Sequence, residues 1–230
     1  MRKTEFYSLP RVTREYDERR FGGRSGEWVN ARELGFTLSL LPPAGRVLDL
    51  ACGTGRLSRV LAARSYQVVG ADYSTEMLAH ARNDNTANHV RADAFRLPFS
   101  DQTFDAVCAL RFAFHYPDLG PFLQEARRVL RPGGALVFDT YRWSPRALLG
   151  ISSRAWGGRV YAFPSHRVVR EAVRTGLRPR VERRCFFFTP YLYRVLPYPL
   201  VVCLHAMENI SPRLLLVRSF WRLERPAGPP

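Results

Sequence analysis

The stretch Val47-Leu-Asp-Leu-Ala-Cys-Gly-Thr-Gly-Arg-Leu57 constrains the fold of this chain more than any other. Arg46 to Leu50 is a short apolar run with one acid near its end, the pattern of a buried strand. Gly53 and Gly55 follow, and glycine accepts turn conformations closed to other residues. Thr54 to Arg64 then places Leu57, Val60 and Leu61 at helical spacing. A strand feeding a helix through a glycine turn is the opening half of a βαβ unit, and such units build parallel sheets.

The pattern repeats downstream. Gln67 to Asp72 reads as a second strand, Ser74 as the N-cap of a helix carrying Met77 and Leu78, and Asn88 to Asp93 as a third strand. Phe104 to Leu110 is the fourth. Asp118 to Leu130 is an amphipathic helix stopped by Arg131-Pro-Gly-Gly134, and Ala135 to Thr140 returns as a fifth strand. Beyond it the spacing predicts a helix over Pro164 to Gly176 and strands over Arg180 to Phe188 and Leu214 to Leu223, with an aromatic, proline-rich stretch from Pro190 to Pro199 between the last two.

A chain of 230 residues suits one α/β domain, and 46% hydrophobic with 24% charged residues excludes a disordered tail, a collagen and a coiled coil. The chain shows neither an 18-residue apolar run nor an apolar stretch after Met1-Arg2-Lys3, so a cytoplasmic location is expected. Cys52, Cys108, Cys185 and Cys203 lie too far apart for a zinc motif and are expected to be reduced thiols, mostly buried.

Two ligand classes use a glycine turn after a first strand. A dinucleotide rests its pyrophosphate on the helix N-terminus and wants a third small residue where this chain has Ser58. Asp49 argues for the other class: a carboxylate at the strand's end repels a pyrophosphate but suits a ligand carrying an ammonium and a sulfonium, S-adenosylmethionine. Asp72 is placed for ribose hydroxyls and Asp93, with Ala94, for the adenine amino group, its ring lying against Phe95 or Leu97. Three acids at successive strand ends of one sheet edge are hard to explain by packing.

The strings VLDLACGTG, VVGADYSTEML, RADAFRLPFSDQTFDAV and EARRVLRPGGALVFDT, in that order, resemble class I S-adenosylmethionine-dependent methyltransferases of the small-molecule branch over residues 16–140. Ala51 stands where that family often has glycine. The resemblance implies a Rossmann-like α/β fold: a mostly parallel seven-stranded sheet flanked by helices, with an antiparallel last strand. It implies one domain, with residues 1–45 a helical lid, 46–140 the cofactor-binding core and 141–230 an acceptor-side half. Asp49, Ala51, Gly53, Gly55 and Leu110 would surround the methionine portion of the donor, Asp72 and Tyr73 the ribose, and Asp93 with Ala94 the adenine. Tyr7, Tyr16 and Arg20 are candidates for the lid, or for an exposed helix. The product would be S-adenosylhomocysteine.

Methyl transfer from a sulfonium needs alignment and exclusion of water, and no metal. His115, in Leu110-Arg-Phe-Ala-Phe-His-Tyr-Pro117, is the candidate general base or else a wall of the pocket, and Arg111 and Tyr116 share its loop. His80 and His89 read as surface residues; His166 and His205 as candidates for an acceptor pocket. Cys52 reads as packed, not nucleophilic.

Net charge is +15, and residues 141–230 hold 16 arginines against four acids. That asymmetry suits nucleic acid, an acidic lipid surface or an anionic substrate, or serves as a solvated face. Tyr141, Trp143, Trp156, Phe163, Phe186 to Phe188, Tyr191, Tyr193 and Tyr198 would wall an apolar acceptor pocket or fill the sheet core. The favoured acceptor is therefore a small or amphiphilic molecule. A transfer-RNA methyltransferase ranks second for want of an RNA-binding module, a non-catalytic regulator third, and a nicotinamide dehydrogenase is disfavoured by Asp49. The apolar run Leu200 to Met207 is too short to span a membrane but admits peripheral contact.

Overall fold

The computed structural model describes residues 6–7, 9–82, 87–144, 147 and 159–228. Strands β1 (Arg46–Leu50), β2 (Gln67–Asp72), β3 (Asn88–Arg91), β4 (Phe104–Ala109), β5 (Leu130–Tyr141), β6 (Arg178–Cys185) and β7 (Arg218–Glu224) form one sheet in the order β3-β2-β1-β4-β5-β7-β6. Neighbours from β3 through β5 pair in parallel, and β7 runs antiparallel to both β5 and β6. The expected mostly parallel seven-stranded sheet with an antiparallel last strand is therefore what forms. The chain steps outward from β1 to β3 and then returns to β4, so the strand order reverses between β1 and β4. Open α/β sheets bind ligands at the carboxyl ends of strands at such a reversal.

Helices α1 (Pro10–Arg14), α2 (Tyr16–Phe21) and α3 (Gly23–Leu40) precede β1. Within the βαβ units lie α4 (Arg56–Ala62), α5 (Thr75–Arg82) and α6 (Gly120–Val129), then α7 (Ser165–Arg174), α8 (Pro190–Val195) and α9 (Tyr198–Glu208). Period-two alternation divides the core. Leu48, Val107, Leu136 and Phe138 pack with Phe122, Val129 and Val168 on one face. On the other, Val47, Ala106, Val137 and Phe220 pack with Val29 and Leu34 of α3 and Leu57 and Leu61 of α4.

Several boundaries differ from the sequence reading, each for a local reason. Helix α4 begins at Arg56, not Thr54, because Gly55 is left-handed at φ +81°. Strand β6 ends at Cys185, not Phe188: Phe186 turns left-handed at φ +61° and its N–H donates to Glu208. The last strand starts at Arg218 because residues 213–215 coil into a 3₁₀ turn. The stretch after Pro190 is helical, each of its helices opening on a proline in its first turn, where no N–H partner is lost.

The aromatics of the second half divide between the core and the partly exposed surface, with Trp143, Phe187, Tyr191 and Tyr198 half-buried. Tyr141, Phe163, Phe186 and Tyr193 are buried, whereas Phe188 is exposed, and Trp156 lies outside the described residues. Tyr193 stacks on Trp28 of α3, and Tyr198 lies under the Arg24 guanidinium.

Candidate active site

A cavity of about 540 Å³ opens at the carboxyl ends of β1 to β4, within the usual range for small-molecule sites. Its floor comes from Leu50 at the end of β1 with Ala51 and Gly53 after it. Asp72 ends β2 and Tyr73 and Ser74 follow it, Asp93, Ala94 and Phe95 follow β3, and Leu110 to Phe112 follow β4. His115 and Tyr116 close one side, and Tyr7 and Tyr16 come from the segment ahead of β1.

Two non-glycine residues of this floor, Ala51 at φ +56° and Arg111 at φ +58°, sit in the left-handed region. Side chains rarely adopt it, and such strain concentrates at functional sites. Gly53 is also left-handed, at φ +56°, and a Cβ built on it would meet nothing within 4 Å. The turn thus leaves bare a spot that no other described residue fills, where a ligand can touch backbone directly.

Asp72 ties the floor together. One carboxylate oxygen accepts the Gly53 N–H at 2.8 Å and the other the Ser74 N–H at 2.9 Å, while burial raises its pKa. Ser74 caps α5 as expected, its hydroxyl accepting the Met77 N–H, and donates to the carbonyl of Tyr7. Asp93 is exposed and accepts the Phe95 N–H, an Asx turn that sets Ala94 and Phe95 against the cavity.

Two expected contact residues do not line the cavity. Asp49 points to the α4 face with Val47, is 2% exposed, and accepts the Ser58 hydroxyl at 2.6 Å beneath the turn. Gly55 is glycine for packing: a Cβ there would stand 3.0 Å from the Ala81 Cβ. Of the two apolar residues expected beside the adenine, Leu97 is buried and does not line the cavity, whereas Phe95 does. His89, read as a surface residue, packs half-buried against Gly55 and Gly70, and burial lowers its pKa. His166 is exposed on α7 and His205 contacts Arg32, so neither reaches the cavity.

Burial pushes the Asp49 carboxyl up to about 6 from 3.8, with Ser58 and Arg56 pulling it down. The folded chain then holds this proton more tightly than the unfolded one, so stability falls as pH rises from about 4 to about 6 and stays low above that. Asp49→Asn keeps an acceptor for Ser58 and removes the fall. Urea unfolding should show a gain of about 2–3 kcal/mol above about pH 7 and none near pH 4.

The catalytic candidates are drawn together on one wall. Tyr7 Oη lies 3.4 Å from His115 Nε2, and burial raises the Tyr7 phenol despite nearby Arg20. Burial, with Asp93 and Asp72 adding to it, pushes Tyr116 up to about 12, which leaves it a neutral hydrogen-bond donor. Arg111 lines the cavity, but its guanidinium is 3.3 Å from Glu33 and its N–H donates to Asp139. Arg20 lies over the rings of Tyr16 and Tyr191.

Behind that wall is a buried ion cluster which the sequence reading missed. Arg218 bonds Glu33 of α3 and Asp139 of β5, and Arg56 reaches Glu33 at 2.6 Å. Burial opposes ionisation of Glu33, yet Arg218, Arg111 and Arg56 hold it well below the carboxylate range. Charged residues at inward positions of apolar strands, Asp139 in ALVFDTY and Arg218 in VRSFW, were its signal in the sequence.

A sheet reversing between β1 and β4, a bare glycine turn at that reversal, and acids after the next two strands define a Rossmann-like nucleoside-binding fold. Residues 48–138 match the methyltransferase domain family, and over that core the chain is similar to S-adenosylmethionine-dependent methyltransferases. It is 40% identical over 134 residues to a demethylmenaquinone methyltransferase of Thermus thermophilus, covering 55% of this chain and 60% of that protein. A 2-methyl-6-phytyl-1,4-hydroquinone methyltransferase of Synechocystis is 34% identical over 136 residues, covering 57% of this chain and 41% of that one. The match therefore spans less than two thirds of these relatives' length. A methyltransferase structure from Thermotoga maritima, described as a possible histamine N-methyltransferase, shares the fold with a TM-score of 0.71 at 19% identity, covering 97% of this chain and 99% of that one.

Proposed function

We propose that this chain transfers the methyl group of S-adenosylmethionine to an apolar, lipid-like small molecule of the quinol type. One observation carries the reading: a single cavity joins the bare Gly53 turn and the acids Asp72 and Asp93 to the Tyr7–His115 pair. The names of the Thermus and Synechocystis relatives supply the acceptor class, and the aromatic rings of Tyr73, Phe95, Phe112 and Tyr116 in the cavity suit it.

In this reading Asp72 and Tyr73 hold the donor's ribose and Asp93 with Ala94 its adenine, while Ala51, Gly53 and Leu110 take the methionine portion by backbone approach. The donor supplies an electrophilic methyl on a positive sulfur. Asp49 acts from beneath the turn, through its charge and not by contact. His115, with Tyr7 behind it, accepts the proton that a phenolic hydroxyl or ring carbon loses as the new bond to carbon or oxygen forms. Arg111, held by Glu33, is a positioning residue that shapes the wall, and Tyr116 donates a hydrogen bond. Tyr7 and Tyr16 cover the site as part of the N-terminal lid and exclude water.

Incubation with methyl-labelled donor and short-chain quinols, with transfer RNA as a parallel arm, tests this. Label should enter the quinol; label in the RNA, or tight donor binding with no label in any fraction of a cell extract, overturns the proposal. His115→Ala should lower kcat by about a hundredfold with little change in donor affinity. Unchanged turnover removes His115 from the proton path.

A further inference from the structure

Helix α9 is apolar around most of its circumference, a composition normally found in buried helices, yet it lies on the surface. Val201 and Glu208 face the protein; Leu200, Val202, Met207 and Ile210 face outward, and the following 3₁₀ turn adds Leu214 and Leu215. Ile210 is 85% and Leu214 72% exposed, in one stretch of chain. Scattered exposed leucines are ordinary, but a run of this kind marks a contact surface.

The charge beside it is one-sided. Between Arg183 and Val217 the chain has four arginines and one acid, Glu208, which is buried and bound to Arg32 at 2.6 Å. A cleft of about 500 Å³ lies against the end of α9 and includes Arg32, Arg183, Arg184 and Arg213. Its glutamates are taken, Glu182 by Arg184 and Glu208 by Arg32. Among the described residues, Arg183 and Arg213 are exposed and have no ion-pair partner.

We infer that α9 and the 213–215 turn form a docking face for a membrane surface rich in anionic phospholipid. The aliphatic side chains enter the headgroup boundary, and Arg183 and Arg213 meet lipid phosphates. Apolar burial combined with attraction to anionic lipid is the physics of peripheral attachment. No described helix is long and apolar enough to cross a membrane, so the contact is with one leaflet. A second copy fits worse, since a two-fold contact sets this arginine-bearing face against itself. Single-stranded nucleic acid fits worse too, because the exposed side chains are aliphatic and offer no rings for stacking. The preceding helix α8 packs near the cavity: its Tyr191 ring receives the guanidiniums of Arg111, which lines the cavity, and Arg20. The docking itself does not depend on the proposed chemistry.

Sedimentation of the full chain with vesicles tests it, using phosphatidylcholine alone and phosphatidylcholine mixed with phosphatidylglycerol. The chain should pellet with the mixed vesicles, bind pure phosphatidylcholine about tenfold more weakly, and be released by salt. The double variant Ile210→Glu/Leu214→Glu should lose about tenfold in affinity for mixed vesicles with an unchanged melting temperature, since both side chains are exposed. Arg183→Glu/Arg213→Glu should abolish the preference for anionic vesicles. Absence of pelleting, equal pelleting by the apolar variant, or a wild-type dimer that the variant dissociates without any vesicle binding overturns the inference.

Discussion

Replacing Glu33 by alanine should lower the free energy of unfolding by about 3–5 kcal/mol, the usual cost of removing one partner from a buried ion pair. Glu33 is wholly buried and is the acid common to Arg218, Arg111 and Arg56. Its loss leaves Asp139 as the one carboxylate of the cluster beside Arg218 and Arg111. The effect should reach the site as well, because Arg111 lines the cavity and loses the carboxylate that holds it. Since the Glu33 carboxyl is held below its ordinary 4.5, its stabilisation is fully present above that pH and is lost as pH falls below it. Urea unfolding at neutral pH checks the first part; a loss under about 1 kcal/mol would mean that the cluster is not closed as described. The double variant Glu33→Met/Arg218→Met, which removes charge from both sides, should cost less than Glu33→Ala alone.

The second large effect falls on donor binding. If Asp72 holds the ribose as proposed, Asp72→Ala should weaken the affinity for S-adenosylhomocysteine by roughly a thousandfold, about 4 kcal/mol, through loss of charge-assisted bonds to two ribose hydroxyls and release of the Gly53 turn. The turn depends on this carboxylate, which takes both the Gly53 and the Ser74 N–H. Asp72→Asn keeps an acceptor but no charge and should fall between the two. Calorimetric titration reads the affinities, and melting temperatures separate loss of the site from loss of the fold.

The half of the molecule around the cavity was legible in the sequence because its signals are local. Glycines next to strand ends, acids at or near the ends of β1, β2 and β3 and a serine cap all act within a few residues. The five strands β1 to β5, in their order along the chain, and Ser74's cap follow from such spacings. Asp49 is the instructive exception. Placing an acid near the end of β1 says nothing about which face it takes, and alternation turned it toward α4, away from the cavity. The second half was less legible because its residues are sorted by long-range packing. Tyr193 and Phe186 could not be told from pocket-lining rings until Trp28 of α3 packed on them. Glu33 and Arg218, 185 positions apart, carry no local sign of their pairing.

Calorimetry of the folded chain with S-adenosylhomocysteine, run beside a nicotinamide dinucleotide, tests the central claim most directly. Saturable binding of the nucleoside thioether, abolished by Asp72→Ala, with no heat from the dinucleotide, is the expected result. Binding of the dinucleotide alone would contradict the account.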